Sequence, residues 1–199
     1  MKIYIHDTDL TLLIENSTIE LVGETCFETV SLDQIAQRTK VSVPTLSAYF
    51  QSKQDLLMQS CLLCFSRMAA DVFKLPGKTK LINGIRYIYN NYLRFQQYNR
   101  KETLFIQKFL KSPCRINEPG LKKEINKILH PFTEYLALYY ETPVENKSFL
   151  AICYMVNSVK EMNQREVAEQ LCIYDPFHEQ FYQTFWPDFQ KIMDLPIID

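Results

Sequence analysis

The sequence predicts an all-α protein on three observations. Residues 31–53, SLDQIAQRTKVSVPTLSAYFQSK, carry the caps and apolar spacing of two short helices meeting at a tight corner, and then open another helix. The longer segments that follow repeat their apolar residues at helical spacing. Internal repeats, low-complexity tracts and flexible linkers are absent from the 199 residues. The implied architecture is an N-terminal three-helix head with a helix–turn–helix, residues 1–51. A long fourth helix joins it to a C-terminal helical core, and helix and core together make up residues 52–199.

Met1 to Thr11 reads as an arm or as the start of the first helix; its strand-like KIYI run has no neighbouring run to pair with. The first helix runs from about Asp7 or Thr8 to Thr25. Ser31 caps the second, with Gln34 reaching back in a capping box and Val30 and Ile35 at the spacing of a hydrophobic staple. Leu32, Ile35, Ala36 and Thr39 form its inward face. Lys40-Val41 is the corner. Ser42 caps the third helix, whose buried face is Val43, Leu46 and Phe50, and Pro44 fits its first turn, where the missing N–H has no intrahelical partner.

Ser52 to Asp55 is a Ser-x-x-acid start for the fourth helix, which carries Leu56, Leu57, Leu63, Cys64, Met68 and Val72 to about Lys74. At about 1.5 Å per residue it is roughly 30 Å long, and Pro76-Gly77 ends it. Helices follow at about Lys78–Tyr98 and Lys101–Lys111, then a loop over 112–120. Residues 121–141 read as helix, with His130-Pro131 kinking or breaking it. The last two helices cover about 147–164 and 176–193.

With 47% apolar and 13% aromatic residues, the chain is globular rather than disordered. No apolar run approaches the ~18–20 residues that span a bilayer, and MKIYIHDTDL lacks the continuous apolar core of a secretory signal. The expectation is a cytoplasmic chain with no membrane partner. Its six cysteines sit in apolar helical contexts and read as reduced packing residues. Cys61 and Cys64 have Cys-x-x-Cys spacing, but mid-helix and without a second pair or a histidine nearby, so packing is the reading there too. The acid-x-x-His at Asp175 and His178 lacks the further inward carboxylates of a di-metal bundle. Four glycines leave no phosphate loop, and no hydrolase elbow or triad motif is present. The chain therefore reads as a non-enzyme with no cofactor and no metal.

Residues 14–57 resemble the N-terminal DNA-binding domain of TetR-family transcriptional regulators. The matching positions are Ile14, Ile19, Leu21 and Val22, then Phe27, Ser31-Leu32, Ile35-Ala36, Val41-Ser42-Val43, Thr45-Leu46, Tyr49-Phe50, Ser52-Lys53 and Leu56-Leu57. The resemblance implies an all-α homodimer whose variable C-terminal part binds a small molecule and dimerises. It also implies a ligand-responsive repressor acting on a palindromic operator in double-stranded DNA. The chain departs from the family in carrying Cys26, Lys40 and Pro44 where glycine is usual, and Ser47 where a phosphate-binding Tyr is common. Ala48 is short where a longer polar side chain is frequent.

The head is acidic. Lys2, Arg38, Lys40 and Lys53 stand against Asp7, Asp9, Glu15, Glu20, Glu24, Glu28, Asp33 and Asp55, a net charge of −4 over residues 1–60. DNA binding ordinarily shows a basic footprint, because neutralised phosphates release counterions. Residues 61–130 carry +10 and residues 131–199 carry −7. The basic middle reads as solvated helix faces meeting acidic ones. Two alternatives stay open: Arg86 or Arg94 neutralising an acidic ligand, or Arg100, Lys101 or Lys108 supplying phosphate contacts.

On the resemblance, the DNA-facing residues are Ser31, Gln34, Arg38, Lys40, Ser42, Val43, Pro44, Thr45, Ser47, Tyr49 and Lys53. The core helices carry more apolar and aromatic side chains than one thin layer can bury, which suggests a pocket for a mostly apolar effector. Its walls would be Phe65, Ile85, Tyr89, Tyr92, Phe105, Phe109 and Tyr135. Phe149, Cys153, Tyr154, Phe181, Phe185 and Trp186 form the expected dimer interface, with monomer core as the plainer reading. The alternative function is a TetR-like protein–protein interaction regulator that has lost operator binding.

Overall fold

The computed structural model describes residues 8–74, 80–112, 119–140, 144, 147–158, 185–191 and 193. They form helices α1 (Thr8–Glu24), α2 (Leu32–Thr39), α3 (Val43–Tyr49), α4 (Lys53–Val72), α5 (Leu81–Tyr98), α6 (Arg100–Lys111), α7 (Pro119–Ile128) and α8 (His130–Ala137). Residues 147–158 and 185–191 are also helical, and no strand occurs among the described residues. The protein is all-α. Of the kink or break expected at His130-Pro131, the structure has the break: α7 and α8 are separate helices, parted at Leu129. Pro131 accounts for the break, since it cannot donate to the carbonyl of Lys127 and its ring crowds that oxygen.

The chain forms two compact units, Met1–Arg67 with Asn99–Lys122, and Met68–Tyr98 with Lys123–Asp199. The first takes in α6 and most of α4 as well as α1–α3. Its core is apolar and aromatic: Ile14, Ile19 and Val22 of α1, Ile35 of α2, Leu46 of α3, Leu56 and Phe65 of α4, and Phe105 and Ile106 of α6 are all buried. Phe27, in the turn after α1, meets the Phe105 ring edge-on at 4.9 Å, and Phe65 meets Phe109 edge-on at 6.0 Å. Such pairs add about 0.5–1.5 kcal/mol beyond the area they bury. Arg67 donates to Glu102 at 2.7 Å. Burial pushes the carboxyl of Glu15 above its ordinary range, and the charge of Arg67 pulls it part of the way back.

The second unit packs α5 and α8 with the later helices. Phe73 stacks on Phe132 at 5.1 Å, and Phe185 packs against both Tyr89 and Tyr154. Two buried amides are satisfied locally, Asn91 donating to the Val72 carbonyl at 3.2 Å and Gln96 to the Tyr92 hydroxyl at 3.1 Å. Gly84 lets α5 and α8 approach closely. A Cβ there would lie 1.5 Å from the hydroxyl oxygen of Tyr135 and 2.3 Å from its ring. Tyr135 is itself buried, so Gly84→Ala should cost about 1–3 kcal/mol through overpacking. Denaturant unfolding checks this, and an unchanged midpoint would contradict the close approach.

Candidate nucleic-acid interface

The corner between α2 and α3 is built by local hydrogen bonds. Ser31 accepts from the Gln34 N–H at 3.2 Å, and Gln34 Oε1 accepts from the Ser31 N–H at 2.9 Å, which closes the capping box. Val30 and Ile35, the expected staple, are both buried. Ser42 caps α3 by accepting from the Thr45 N–H at 3.2 Å, and the two hydroxyls lie 2.8 Å apart. Pro44 occupies the first turn of α3. Lys40 ends α2 in the left-handed region at φ 57, ψ 31. Among the described residues it is the one non-glycine with positive φ, so the expected Gly-to-Lys departure carries backbone strain, whereas Cys26 carries none of this kind.

Leu46 and Phe50 turn inward from α3, while Pro44, Ser47 and Ala48 are exposed and Val43, Thr45 and Tyr49 are half-buried. Gln34, Arg38, Lys40 and Ser42 are exposed, and Ser31 and Lys53 half-buried. The outward side of the helix–turn–helix is thus a row of small polar and apolar side chains.

The cations of this unit are mostly engaged. Arg38 donates to both carboxylate oxygens of Glu24, Nη1 to Oε1 at 2.9 Å and Nη2 to Oε2 at 2.7 Å. Glu20 Oε2 lies 3.6 Å from the same guanidinium. The Arg38 hydrogen bonds hold the Glu24 carboxyl below the usual carboxylate range. The other oxygen of Glu20 pairs with Lys101 of α6. Lys53 donates to the Glu28 carbonyl at 3.2 Å, and the Glu28 carboxylate accepts from Ser112 at 3.1 Å. The Glu28 carboxyl lies below its usual range, chiefly through its own backbone N–H. Lys108 caps the end of α1, donating to the carbonyls of Val22, Gly23 and Thr25 at 2.9, 2.7 and 2.5 Å. Lys101 and Lys108, candidates for phosphate contacts on sequence, instead serve α1. Glu20 and Glu24 are the partners that the sequence reading missed. Their i, i+4 spacing was visible, but the helix they face was not.

The remaining expected sites fall in both units. Phe65, Phe105 and Phe109 are core of the first, and Ile85, Tyr89, Tyr92 and Tyr135 are core of the second. Phe185 is buried, whereas Phe149, Cys153, Tyr154 and Trp186 are half-exposed; Phe181, Asp175 and His178 lie outside the described residues. Cys61 and Cys64 are buried free thiols, and burial drives both well above their ordinary range. Among the described residues no group of three or more His, Cys, Asp and Glu is placed to hold a metal. No helix there is long and apolar enough to cross a membrane.

Residues 14–59 match the family model of bacterial regulatory proteins, tetR family. That segment is similar to the N-terminal domain of the family. The likeness of fold extends beyond the matched segment. A TetR-family transcription regulator structure from Shewanella sp. PV-4 aligns at TM-score 0.68 and 16% identity, covering 96% of this chain and 99% of its own. One from Marinobacter aquaeolei VT8 aligns at 0.68 and 16%, covering 91% and 95%. A fatty acid degradation regulator from Bacillus halodurans aligns at 0.57 and 16%, covering 91% and 96%. No curated protein matches the chain. The matched segment supports a tetR-type N-terminal domain, the structures support the fold of the chain, and neither lends anything to the interaction-protein alternative.

Two predictions concern the TetR-like head. Lys40→Gly should stabilise it by about 1 kcal/mol by relieving the left-handed strain, read as a higher unfolding midpoint; a lower midpoint would place the favourable contribution in the lysine side chain. Lys108→Met, which keeps the aliphatic stem, should lower stability by about 1–3 kcal/mol, because the α1 carbonyls lose a charged donor. Thermal unfolding of the full chain measures it.

Proposed function

We propose that this chain is a ligand-responsive repressor that binds a palindromic operator as a homodimer. The observation that carries the reading is the α2–α3 corner within the segment matching the family: α3 is capped by Ser42 and presents Ser47 and Thr45 between two cations, Lys40 and Lys53. In the proposed complex Ser42, Thr45, Ser47 and Tyr49 face the major groove or its phosphates. Lys53, at the start of α4, holds a phosphate. Two half-sites about one helical turn apart require two heads. The partly exposed Phe149, Cys153, Tyr154 and Trp186, with Leu150 at 50% exposure, are the surface offered to a second copy. The effector is a mostly apolar small molecule held by the second unit, with Ile85, Tyr89, Tyr92 and Tyr135 as candidate walls. It acts by favouring one of two head spacings.

Footprinting the purified protein on DNA upstream of its own gene tests this; a protected palindrome is the expected result, and no protection at low salt defeats it. With Lys40 and Lys53 of two heads on phosphates, log K should fall with log salt at a slope of about −3 to −4. Lys53→Ala should reduce that slope by about two and weaken all sequences alike. Thr45→Ala should change which sequences bind, since groups at base edges carry specificity rather than bulk affinity. Ser47→Tyr should tighten binding by restoring the side chain that the family commonly places there.

A further inference from the structure

Arg38 stands in the last turn of α2, yet its donors are spoken for. Glu24 meets it fork to fork, at 2.9 and 2.7 Å, with Glu20 one helical turn away at 3.6 Å. A DNA phosphate would use the same bidentate geometry on the same guanidinium edge. Carboxylate and phosphate therefore compete for one set of N–H groups. The pair is open to exchange: the side chains of Arg38 and Glu24 are 33% and 57% exposed, and exposed pairs of this kind favour the closed form by a factor of only about 1.4 to 5.

The neighbouring charges ease the exchange. Glu20 is held by Lys101 as well as by Arg38. When Arg38 leaves, Glu20 keeps a counter-charge, and Glu24, at the exposed end of α1, is left to water. Removing one partner thus strands no buried charge, which is what makes broken ion pairs expensive elsewhere. A pair serving only to brace α1 against α2 would gain nothing from this arrangement.

We propose that Glu24, with Glu20 behind it, masks Arg38 as an intramolecular stand-in for a DNA phosphate, so that the head meets DNA with its α2 cation withheld until a phosphate displaces the carboxylate. The proposal rests on the DNA-binding reading above and adds a regulatory contact to that surface. It accounts for a head whose net charge is negative. The acids of α1 set how much of the positive charge is available, and Lys101 of α6 sets how firmly one of those acids is occupied elsewhere.

The test uses the full chain and a short duplex of arbitrary sequence, with binding followed by fluorescence anisotropy over a salt series. Wild type is compared with Glu24→Gln, Arg38→Ala and the double variant, and thermal unfolding is recorded for each. Glu24→Gln should bind roughly two- to fivefold tighter per head, with a salt slope close to that of wild type, because Arg38 meets a phosphate in both complexes. The gain should vanish in the Arg38→Ala background. Wild-type binding with no gain in Glu24→Gln, or a gain that survives Arg38→Ala, overturns the proposal and leaves the DNA reading standing. Should Glu24→Gln fail to fold, Glu20→Gln carries the same test with a smaller expected gain. If wild type and every variant fail to bind at low salt, the DNA reading falls and this proposal falls with it.

Discussion

The head depends on how α1 ends. The last carbonyls of a helix have no intrahelical donor. Many helices solve this with a left-handed glycine, and others place a cation in the final turn. Here α1 has no basic residue in its last turn. Lys108 supplies the cation from α6, at sequence separations of 83 to 86 residues. Three carbonyls match the three donors of an ammonium. The same helix sets Phe105 and Phe109 against Phe27 in the turn that follows α1. Ser112 and Lys53 then fix Glu28 in that turn from two further elements. Ser31, the cap of α2, stands three residues beyond Glu28, and α2 and α3 follow from there.

The same arrangement offsets the charge of an acidic head. Glu20, Glu24 and Glu28 each find a donor within the unit, two of them from α6 or its C-terminal cap. The local surplus of acid over residues 1–60 is offset by part of the basic middle of the chain, folded back onto it. Exposed pairs contribute little singly. Their collective effect here is on placement: they decide which helices stand together and which cations remain for a partner.

The helices were legible because their signals are local. Capping residues, apolar periodicity and proline positions lie within one turn of the structure they cause, and they located α1 to α6 to within a few residues. The break at Leu129 was legible for the same reason, since Pro131 acts on the carbonyl four residues back. The strain at Lys40 was half legible: the corner was clear, but whether the backbone turned left-handed or took another path depends on how α2 and α3 pack. The grouping of α6 with α1 was not legible. It rests on apolar side chains of α6 meeting Phe27 and α1, and on one ammonium meeting three backbone carbonyls, all far apart in sequence. The masking of Arg38 was hidden likewise, because charge counts record the sign of a segment and not its pairing.

The surface left for recognition has a simple composition. From Val41 to Ser52 the chain carries no charged residue at all. Lys40 and Lys53 bracket this neutral stretch, one at the corner before α3 and one at the start of α4. Seven residues of α3 span about 10 Å, close to the ~12 Å width of the major groove. In the proposed complex, cations at both ends would then meet the phosphates bordering the groove while hydroxyls and methyls face the bases between. Such a helix gains little from long-range attraction. In the proposed complex its discrimination would come from fit, from the hydroxyls of Thr45 and Ser47 and from contact with thymine methyls, with charge confined to the edges. The strained left-handed backbone at Lys40 is consistent with that division, since it keeps a cation at the corner where glycine would relax the turn and leave the groove edge neutral.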